Sequence, residues 1–376
     1  MKPNRIAPTR IALSIALVAS ALAVTAIRSA DAQDDIVAKA KAFVKEAAVK
    51  ANKWTGPTSG PKAAAGKSVI YVSSDQRNGG AQGVGEGVGE AAKAIGWDFK
   101  LIDGKGTVQG HGDALGQAIV QKPSAIVLGG FDATEQADLV EQANKAGITV
   151  VGWHAAGTPG PQSNPTMFTN VTTPAQDTSE AAAYLAIANS NGRAGVVIFT
   201  DSAYAIAVAK SDAMANIIKQ CKTCTLLETR VQSLATVTKD MPTVTANLLQ
   251  KYGKKWTYSL GINDLYFDGM VPALTSANIR PSGQLFNISA GDGSESAYQR
   301  VRTKQYQYAT IPEPINLQGW QLVDEINRAL AGDKESGYKI PVHIVVPTNV
   351  NFDGGKKNLF DPENGYRDQY KKVWGK

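Results

Sequence analysis

The sequence predicts an α/β fold of two Rossmann-like lobes, each a parallel sheet flanked by helices. Segments typical of strands and helices alternate from residue 67 to residue 173. A helical segment at 176–189 follows, and the alternation then begins again and continues to residue 311. Parallel strands joined by helices produce this alternation. The two successive runs, which contain no literal repeat, indicate two similar lobes.

In the first run, short apolar segments predict strands at 68–73, 98–102, 125–128, 149–153 and 168–171, with helices at 81–96, 113–121 and 133–146. In the second run, strands are predicted at 196–200, 226–231, 257–263, 286–290 and 306–311, with helices at 206–220 and 241–252. Open parallel sheets bind ligands at the carboxyl ends of their strands. A cleft between the lobes is therefore the expected site.

The first 32 residues have the pattern of a secretion signal. Lys2, Arg5 and Arg10 form a basic start, residues 11–27 are apolar and uncharged, and Ala30-Asp31-Ala32 supplies a small-x-small cleavage site. The apolar run is shorter than the roughly 20 residues of a membrane-spanning helix. We expect cleavage after Ala32 and a soluble product in the periplasm.

Residues 33–53 predict an amphipathic helix, and the Gly- and Pro-rich stretch 56–61 predicts a linker. Residues 353–376 form a tail beyond the second run of elements. The formal net charge is +6, of which the signal carries +3. Because no dense Lys/Arg tract with interleaved aromatic residues appears, nucleic acid is not an expected partner.

Two cysteines, Cys221 and Cys224, follow a predicted helix and precede a predicted strand. In an oxidising compartment this C-x-x-C pair indicates a structural disulfide, with a redox centre or half of a zinc site as the alternatives. The three histidines, His111, His154 and His343, have no ligand spacing, so no metal site is predicted.

A cluster of six glycines at 79–89 contains Gly87-x-Gly89-x-x-Ala92, which formally satisfies a dinucleotide-binding pattern. A phosphate loop lies at a strand-to-helix turn, whereas Gly87 is about 14 residues beyond the first predicted strand. Close helix packing is the preferred interpretation, and no cofactor is predicted. Asp103, after the next strand, keeps an exported NAD(P)-dependent oxidoreductase as an alternative.

No nucleophile-elbow pattern G-x-S-x-G appears, and no catalytic residues are predicted. Acidic residues do lie in predicted loops, namely Asp201, Asp264, Asp292 and Glu313. Such carboxylates perform acid/base chemistry in enzymes. They equally bind hydroxyl or amino groups of a ligand, or cap helices.

Four segments carry a resemblance to a known family. They are the strand and loop 68–78, the helix, turn and strand 143–153, Gly261-Ile262-Asn263-Asp264, and Ser289-Ala290-Gly291-Asp292-Gly293. They resemble the type I periplasmic solute-binding proteins of ABC importers, the ribose- and galactose-binding family. The resemblance spans most of residues 67–352.

The resemblance implies a three-segment hinge near Pro174, Glu313 and Pro347. It assigns residues 67–173 and 315–346 to lobe 1, and residues 174–314 and 347–352 to lobe 2. It also implies a monomer that is not an enzyme, which captures a small polar molecule such as a sugar, polyol or glycoside and delivers it to an ABC permease in the inner membrane. The alternative is a ligand sensor for a membrane receptor kinase.

The ligand-binding residues expected from this resemblance and from the predicted loops are Ser74, Asn78, Trp153, His154, Asp201, Tyr204, Asn263, Tyr266, Asp292 and Glu313. The aromatic pair usual after the first loop is replaced by Gly79, Gly80 and Ala81. The usual Asp-Arg pair is replaced by Trp153-His154, and a usual arginine is missing near Lys210. These departures favour polyols, glycosides, amines or hydroxylated aromatics, and the acids predict a cleft that disfavours anions.

Overall fold

The computed structural model describes residues 35–376. The predicted signal peptide, including its cleavage site, lies outside the described residues. Residues 35–47 are helical and are called α1 here. Among residues 35–376, no helix has both the length and the apolar character needed to cross a membrane.

The first sheet has six strands in the order β2-β1-β3-β4-β6-β5. All neighbouring pairs are parallel except β5 and β6. The strands are β1 (Ser68–Ser73), β2 (Asp98–Asp103), β3 (Ala125–Gly129), β4 (Thr149–Trp153), β5 (Gly160–Ser163) and β6 (Thr166–Val171). The helices between them are α2 (Gly79–Ile95), α3 (Val108–Val120) and α4 (Ala137–Lys145).

The second sheet has five parallel strands in the order β11-β10-β9-β7-β8. They are β7 (Gly195–Thr200), β8 (Thr225–Val231), β9 (Tyr258–Gly261), β10 (Phe286–Ser289) and β11 (Ala309–Thr310). The helices of this part are α5 (Ala175–Asn189), α6 (Ala205–Gln220), α7 (Val237–Tyr252), α8 (Leu265–Ser276) and α9 (Glu295–Thr303). The chain then returns to the first sheet as α10 (Ile315–Ala331), which packs on α2, β4 and β6.

Strand β1 shows why the central strands read as continuous apolar runs. Val69 and Tyr71 point into the core that α2 and α10 cover, while Ile70 and Val72 point into the core under α3 and α4. All four side chains are buried. A parallel strand covered by helices on both faces has no polar face, so its sequence shows no alternation.

The segments outside the two alternating runs connect the lobes. Helix α1 packs on the second lobe through Ile36 and Ala40, and Phe43 contacts the ring of Tyr184 at 5.3 Å between centroids. The following linker reaches the first lobe, where Trp97 Nε1 donates to the Ala64 carbonyl at 2.7 Å. At the other end of the chain, α11 (Tyr366–Trp374) packs on α10 of the first lobe.

Several predicted boundaries differ from the structure for identifiable reasons. Helix α1 ends at residue 47, because the Ala51 amide donates to Asp353 Oδ2 of the tail rather than to a helical carbonyl. Strand β11 has two residues instead of the predicted six, and Tyr306 has φ 58°. Strand β5, which the sequence did not predict, forms an antiparallel hairpin with β6.

The predicted disulfide is confirmed. Cys221 follows directly after α6, and its bond to Cys224 closes the turn that leads into β8. Helix α2 begins at Gly79, two residues before its predicted start. Asn78 caps it, since Asn78 Oδ1 accepts from the amides of Gly80 at 2.9 Å and Ala81 at 3.3 Å.

Candidate functional site

A cavity of about 180 Å³ lies where loops from the carboxyl ends of both sheets face each other. Seven of the ten predicted ligand-binding residues line it: Ser74, Asn78, Trp153, His154, Tyr204, Asn263 and Asp292. The other lining side chains that matter below are those of Asp75, Arg77, Ile206, Lys210, Leu234, Val237 and Leu265. The cavity is at the position that the topology of open parallel sheets predicts.

The wall from the first lobe is built by the turn between β1 and α2. Asn78 Oδ1 is used in capping α2, which leaves the Nδ2 hydrogens of Asn78 available to a ligand. Asp75 and Arg77 pair through Oδ2 and Nη2 at 2.7 Å. The Arg77 guanidinium is mostly exposed, so this pair neutralises itself at the rim of the cavity.

A buried charge cluster forms the floor around Glu313. Oε1 of Glu313 lies 2.9 Å from His154 Nε2 and 3.3 Å from Lys210 Nζ. Its Oε2 accepts from the Thr173 amide at 3.1 Å and from the side-chain amide of Gln318. Burial alone would raise the pKa of Glu313, but the charges of His154 and Lys210 outweigh it and hold that pKa well below its ordinary value.

Asp292 is the carboxylate of the cavity that can accept the most further hydrogen bonds. It is buried, and its Oδ2 accepts from Asn263 Nδ2 at 2.9 Å. Burial raises the pKa of Asp292, and the nearby positive charges of His154 and Lys210 offset this effect only in part. A ligand hydroxyl or amine that donates to this carboxylate would supply the hydrogen bonding that it lacks.

The aromatic residues contribute less stacking surface than the sequence suggested. His154 covers one face of Trp153, with 4.0 Å between ring centroids and 11° between planes. Trp153 is almost fully buried, and its Nε1 donates to Gln318 Oε1 at 2.9 Å. Tyr204, which immediately precedes α6, is the third aromatic ring of the lining beside Trp153 and His154, and its burial raises its pKa to about 12.

Three predicted residues lie outside the cavity lining. Asp201 uses both oxygens on backbone amides, those of Ala203 at 2.9 Å and Leu234 at 2.8 Å. Tyr266 is a fully buried core residue whose hydroxyl donates to the Gln232 carbonyl. Glu313 lies behind His154 and Lys210, so it acts on the cavity by holding these two side chains.

Comparisons with known proteins agree with this architecture. Residues 69–334 match the family described as periplasmic binding protein domain. The chain belongs to this family. The family is one of binding proteins, and the predicted family and fold class are confirmed. A comparison with curated protein sequences gives no significant match.

Solved structures similar to this periplasmic binding protein include an ABC transporter solute-binding protein from Agrobacterium vitis with bound allitol, with TM-score 0.65, 20% identity and coverage of 76% of this chain and 97% of that one. A second protein from the same species, bound with α-D-tagatopyranose, has TM-score 0.68, 15% identity and coverage of 78% and 99%. The arabinose-binding component from Shewanella sp. ANA-3 has TM-score 0.65, 16% identity and coverage of 81% and 95%.

Lys210 lines the cavity of this periplasmic binding protein but is not among the residues expected from the sequence. It is buried in α6, one turn beyond Ile206, and its ammonium faces Glu313. The signal was present, because a lone lysine follows the apolar stretch Ala205 to Ala209 at the position where the family usually carries an arginine nearby. With Arg77 and His154 it makes the cavity less acidic than predicted.

The glycine cluster of this binding protein belongs to helix packing. Gly87 lies in the middle of α2, where an added Cβ would come 2.8 Å from the Asn316 carbonyl oxygen of α10. At the start of α2, a Cβ on Gly80 would come within van der Waals overlap of the Asp292 carboxylate. That carboxylate already occupies the helix N-terminus where a pyrophosphate would bind.

Among residues 35–376, one group of three potential metal-ligating residues has its ligand atoms within 4.8 Å of one another. It consists of His154, Asp292 and Glu313. Such a set has the chemistry of a transition-metal site. The Lys210 ammonium, however, lies 3.3 Å from Glu313 Oε1 and supplies the positive charge at this point. The cluster therefore fits an internal ion-pair network better than a metal site.

Proposed function

We propose that this protein is an exported receptor that captures a small hydroxylated molecule between its lobes and delivers it to an ABC permease in the inner membrane. It acts as a monomer and catalyses no reaction. One observation carries the proposal: donors and acceptors from both sheets converge on a single cavity. Ser74, Asn78 and His154 come from one side, and Lys210, Asn263 and Asp292 from the other.

The chemistry of the cavity suits hydroxyl groups. A hydroxyl both donates and accepts, so one hydroxyl can accept from the Lys210 ammonium or the Asn78 amide while it donates to Asp292. Glu313 keeps Lys210 and His154 in place and is itself saturated. The allitol and tagatopyranose bound by the two Agrobacterium proteins support hydroxylated ligands as the class.

Ligand binding is expected to act on the balance between an open and a closed form. A ligand that contacts both lobes binds the closed form more tightly and so raises its population. We propose hinge segments near Pro174, Glu313 and Pro347, with lobe 1 formed by residues 67–173 and 315–346. The closed form is then the one that the permease recognises.

A thermal-shift screen of the chain from Gln33 to Lys376 tests the proposal. The panel contains sugars, polyols, amines, hydroxylated aromatics and nicotinamide dinucleotides. A ligand at about 100 times its dissociation constant stabilises the fold by about 2.7 kcal/mol. A shift with one hydroxylated class supports the receptor, whereas a shift with dinucleotides alone would replace it by the oxidoreductase alternative.

Two aspartates of the second lobe provide a matched pair of variants for the ligand found. Asp292→Ala removes a carboxylate that faces the cavity, and we expect calorimetry to show affinity weaker by about 10-fold or more. Asp212→Ala removes an exposed carboxylate of α6 that does not line the cavity, so it should leave affinity unchanged. Equal affinities for both variants would remove Asp292 from the site.

A further inference from the structure

The two walls of the cavity differ in polarity. Lobe 1 contributes two glycines to the lining, and all its other lining residues are polar or aromatic. Lobe 2 contributes the polar side chains of Tyr204, Lys210, Thr238, Asn263 and Asp292, but it also contributes a patch of aliphatic side chains. The patch consists of Ile206, Leu234, Val237, Ile262 and Leu265.

Three of the five residues of the aliphatic patch lie at the starts of helices. Ile206 lies in the first turn of α6, Val237 is the first residue of α7, and Leu265 is the first residue of α8. Lys210 follows Ile206 by four residues and therefore lies on the same face of α6. The polar floor and the aliphatic patch are thus adjacent, and a single ligand can reach both.

A ligand with a hydroxyl on every carbon fits this arrangement poorly. A hydroxyl that packs against Ile206 or Val237 loses its bonds to water and gains no hydrogen bond from these side chains, which costs about 1–3 kcal/mol. No face of Trp153 compensates, because His154 covers it and Gly130 approaches the ring from close by. A hydrocarbon surface gains free energy at the same place, at roughly 25 cal/mol per Å².

We infer that the ligand is an amphipathic ring alcohol, with hydroxyl groups on one edge and bare hydrocarbon on the other. This inference rests on the proposed receptor function and narrows its ligand class. The hydroxyl edge bridges Asn78 of lobe 1 and Lys210 and Asp292 of lobe 2. The hydrocarbon edge packs on Ile206, Leu234 and Val237. A cavity of about 150 Å³ holds a benzene ring, so about 180 Å³ is sufficient for one ring with hydroxyl groups.

Calorimetry with ligands that share one ring size tests this inference. The probes are cis-cyclohexane-1,2-diol and catechol, which have hydroxyls on one edge, and myo-inositol, which has one on every carbon. We expect both diols to bind at least 10-fold more tightly than myo-inositol. Equal or tighter binding of myo-inositol would overturn the inference and leave the receptor function standing, and absence of diol binding at millimolar concentration would also overturn it.

Two variants of α7 separate a contact with the ligand from a change in the fold. Val237→Thr places a hydroxyl in the aliphatic patch, and Val244→Thr makes the same change at a buried residue of the same helix that does not line the cavity. We expect Val237→Thr to weaken diol binding at least 3-fold and Val244→Thr to leave it unchanged. Equal effects of the two substitutions on diol affinity would contradict the proposed position of the hydrocarbon edge.

Discussion

The contact between helices α2 and α10 in lobe 1 gives a sharp test of the packing. Helices α2 and α10 cross where Gly87 faces Gly319, and an added Cβ on Gly319 would come 2.5 Å from the Gly87 carbonyl carbon and the Val88 nitrogen. These are backbone atoms, which cannot rotate away as a side chain can. Gly319→Ala therefore requires the two helices to separate.

The magnitude follows from comparison with a second glycine in a helix of the same lobe. Gly116 lies inside α3 with nothing within 4 Å of its hypothetical Cβ. Gly116→Ala should raise the free energy of unfolding by about 0.5–1 kcal/mol, because alanine loses less backbone entropy. Gly319→Ala should lower it by about 1–3 kcal/mol, because the core is overpacked.

Urea unfolding of the two variants and the parent protein measures the difference. Because Gly116 and Gly319 belong to the same lobe, both substitutions report on the same unfolding transition. The two free energies of unfolding should differ by about 1.5–4 kcal/mol. If Gly319→Ala stabilised the lobe as much as Gly116→Ala, the two helices would not cross at backbone contact distance.

Three further predictions concern stability. Burial raises the pKa of Glu325 to about 7, although the Ser336 amide donates a hydrogen bond to its carboxyl group. The folded protein therefore loses stability as pH rises from about 4.5 to 7, because the buried carboxyl group must ionise. In urea unfolding, Glu325→Gln should raise the free energy of unfolding by up to about 3 kcal/mol at pH 8 and change it little at pH 4. By the same measurement, Trp374→Ala should lower the free energy of unfolding by about 3–5 kcal/mol, since it leaves a cavity in place of a fully buried side chain. Replacing Cys221 and Cys224 by serine should cost about 2 kcal/mol, the entropy of a short closed loop, which thermal unfolding with and without reductant can check.

Most of the fold could be predicted because the buried core strands are continuous apolar runs in the sequence. Val69 to Val72 are apolar in succession, which is typical of a parallel strand covered on both faces. Strand β11 could not be delimited, because only Ala309 and Thr310 pair with β10, while the apolar residues around them are buried by other contacts. Strand β5 carries no apolar pattern, since Gly160 to Ser163 lie at the edge of the sheet.

The site could be predicted to the level of its loops and not to the level of its side chains. Loop position predicted that Ser74, Asn263 and Asp292 would come together, and all three line the cavity. Loop position gave no information on whether a carboxylate already accepts hydrogen bonds from the protein. Both carboxylate oxygens of Asp201 accept from backbone amides. Lys210 was missed because its role depends on Glu313, which is 103 residues away in sequence and 3.3 Å away in space.

The segments outside the matched family region bear on how the lobes move. Residues before 69 and after 334 include α1, which packs on lobe 2, and α11, which packs on lobe 1. Asp353 of the tail accepts from the amide of Ala51, which lies in the segment between α1 and the linker. We expect that opening of the cleft deforms this segment as well as the proposed hinge. Such connections would restrict the open state, so that a ligand would have less conformational entropy to remove when the lobes close.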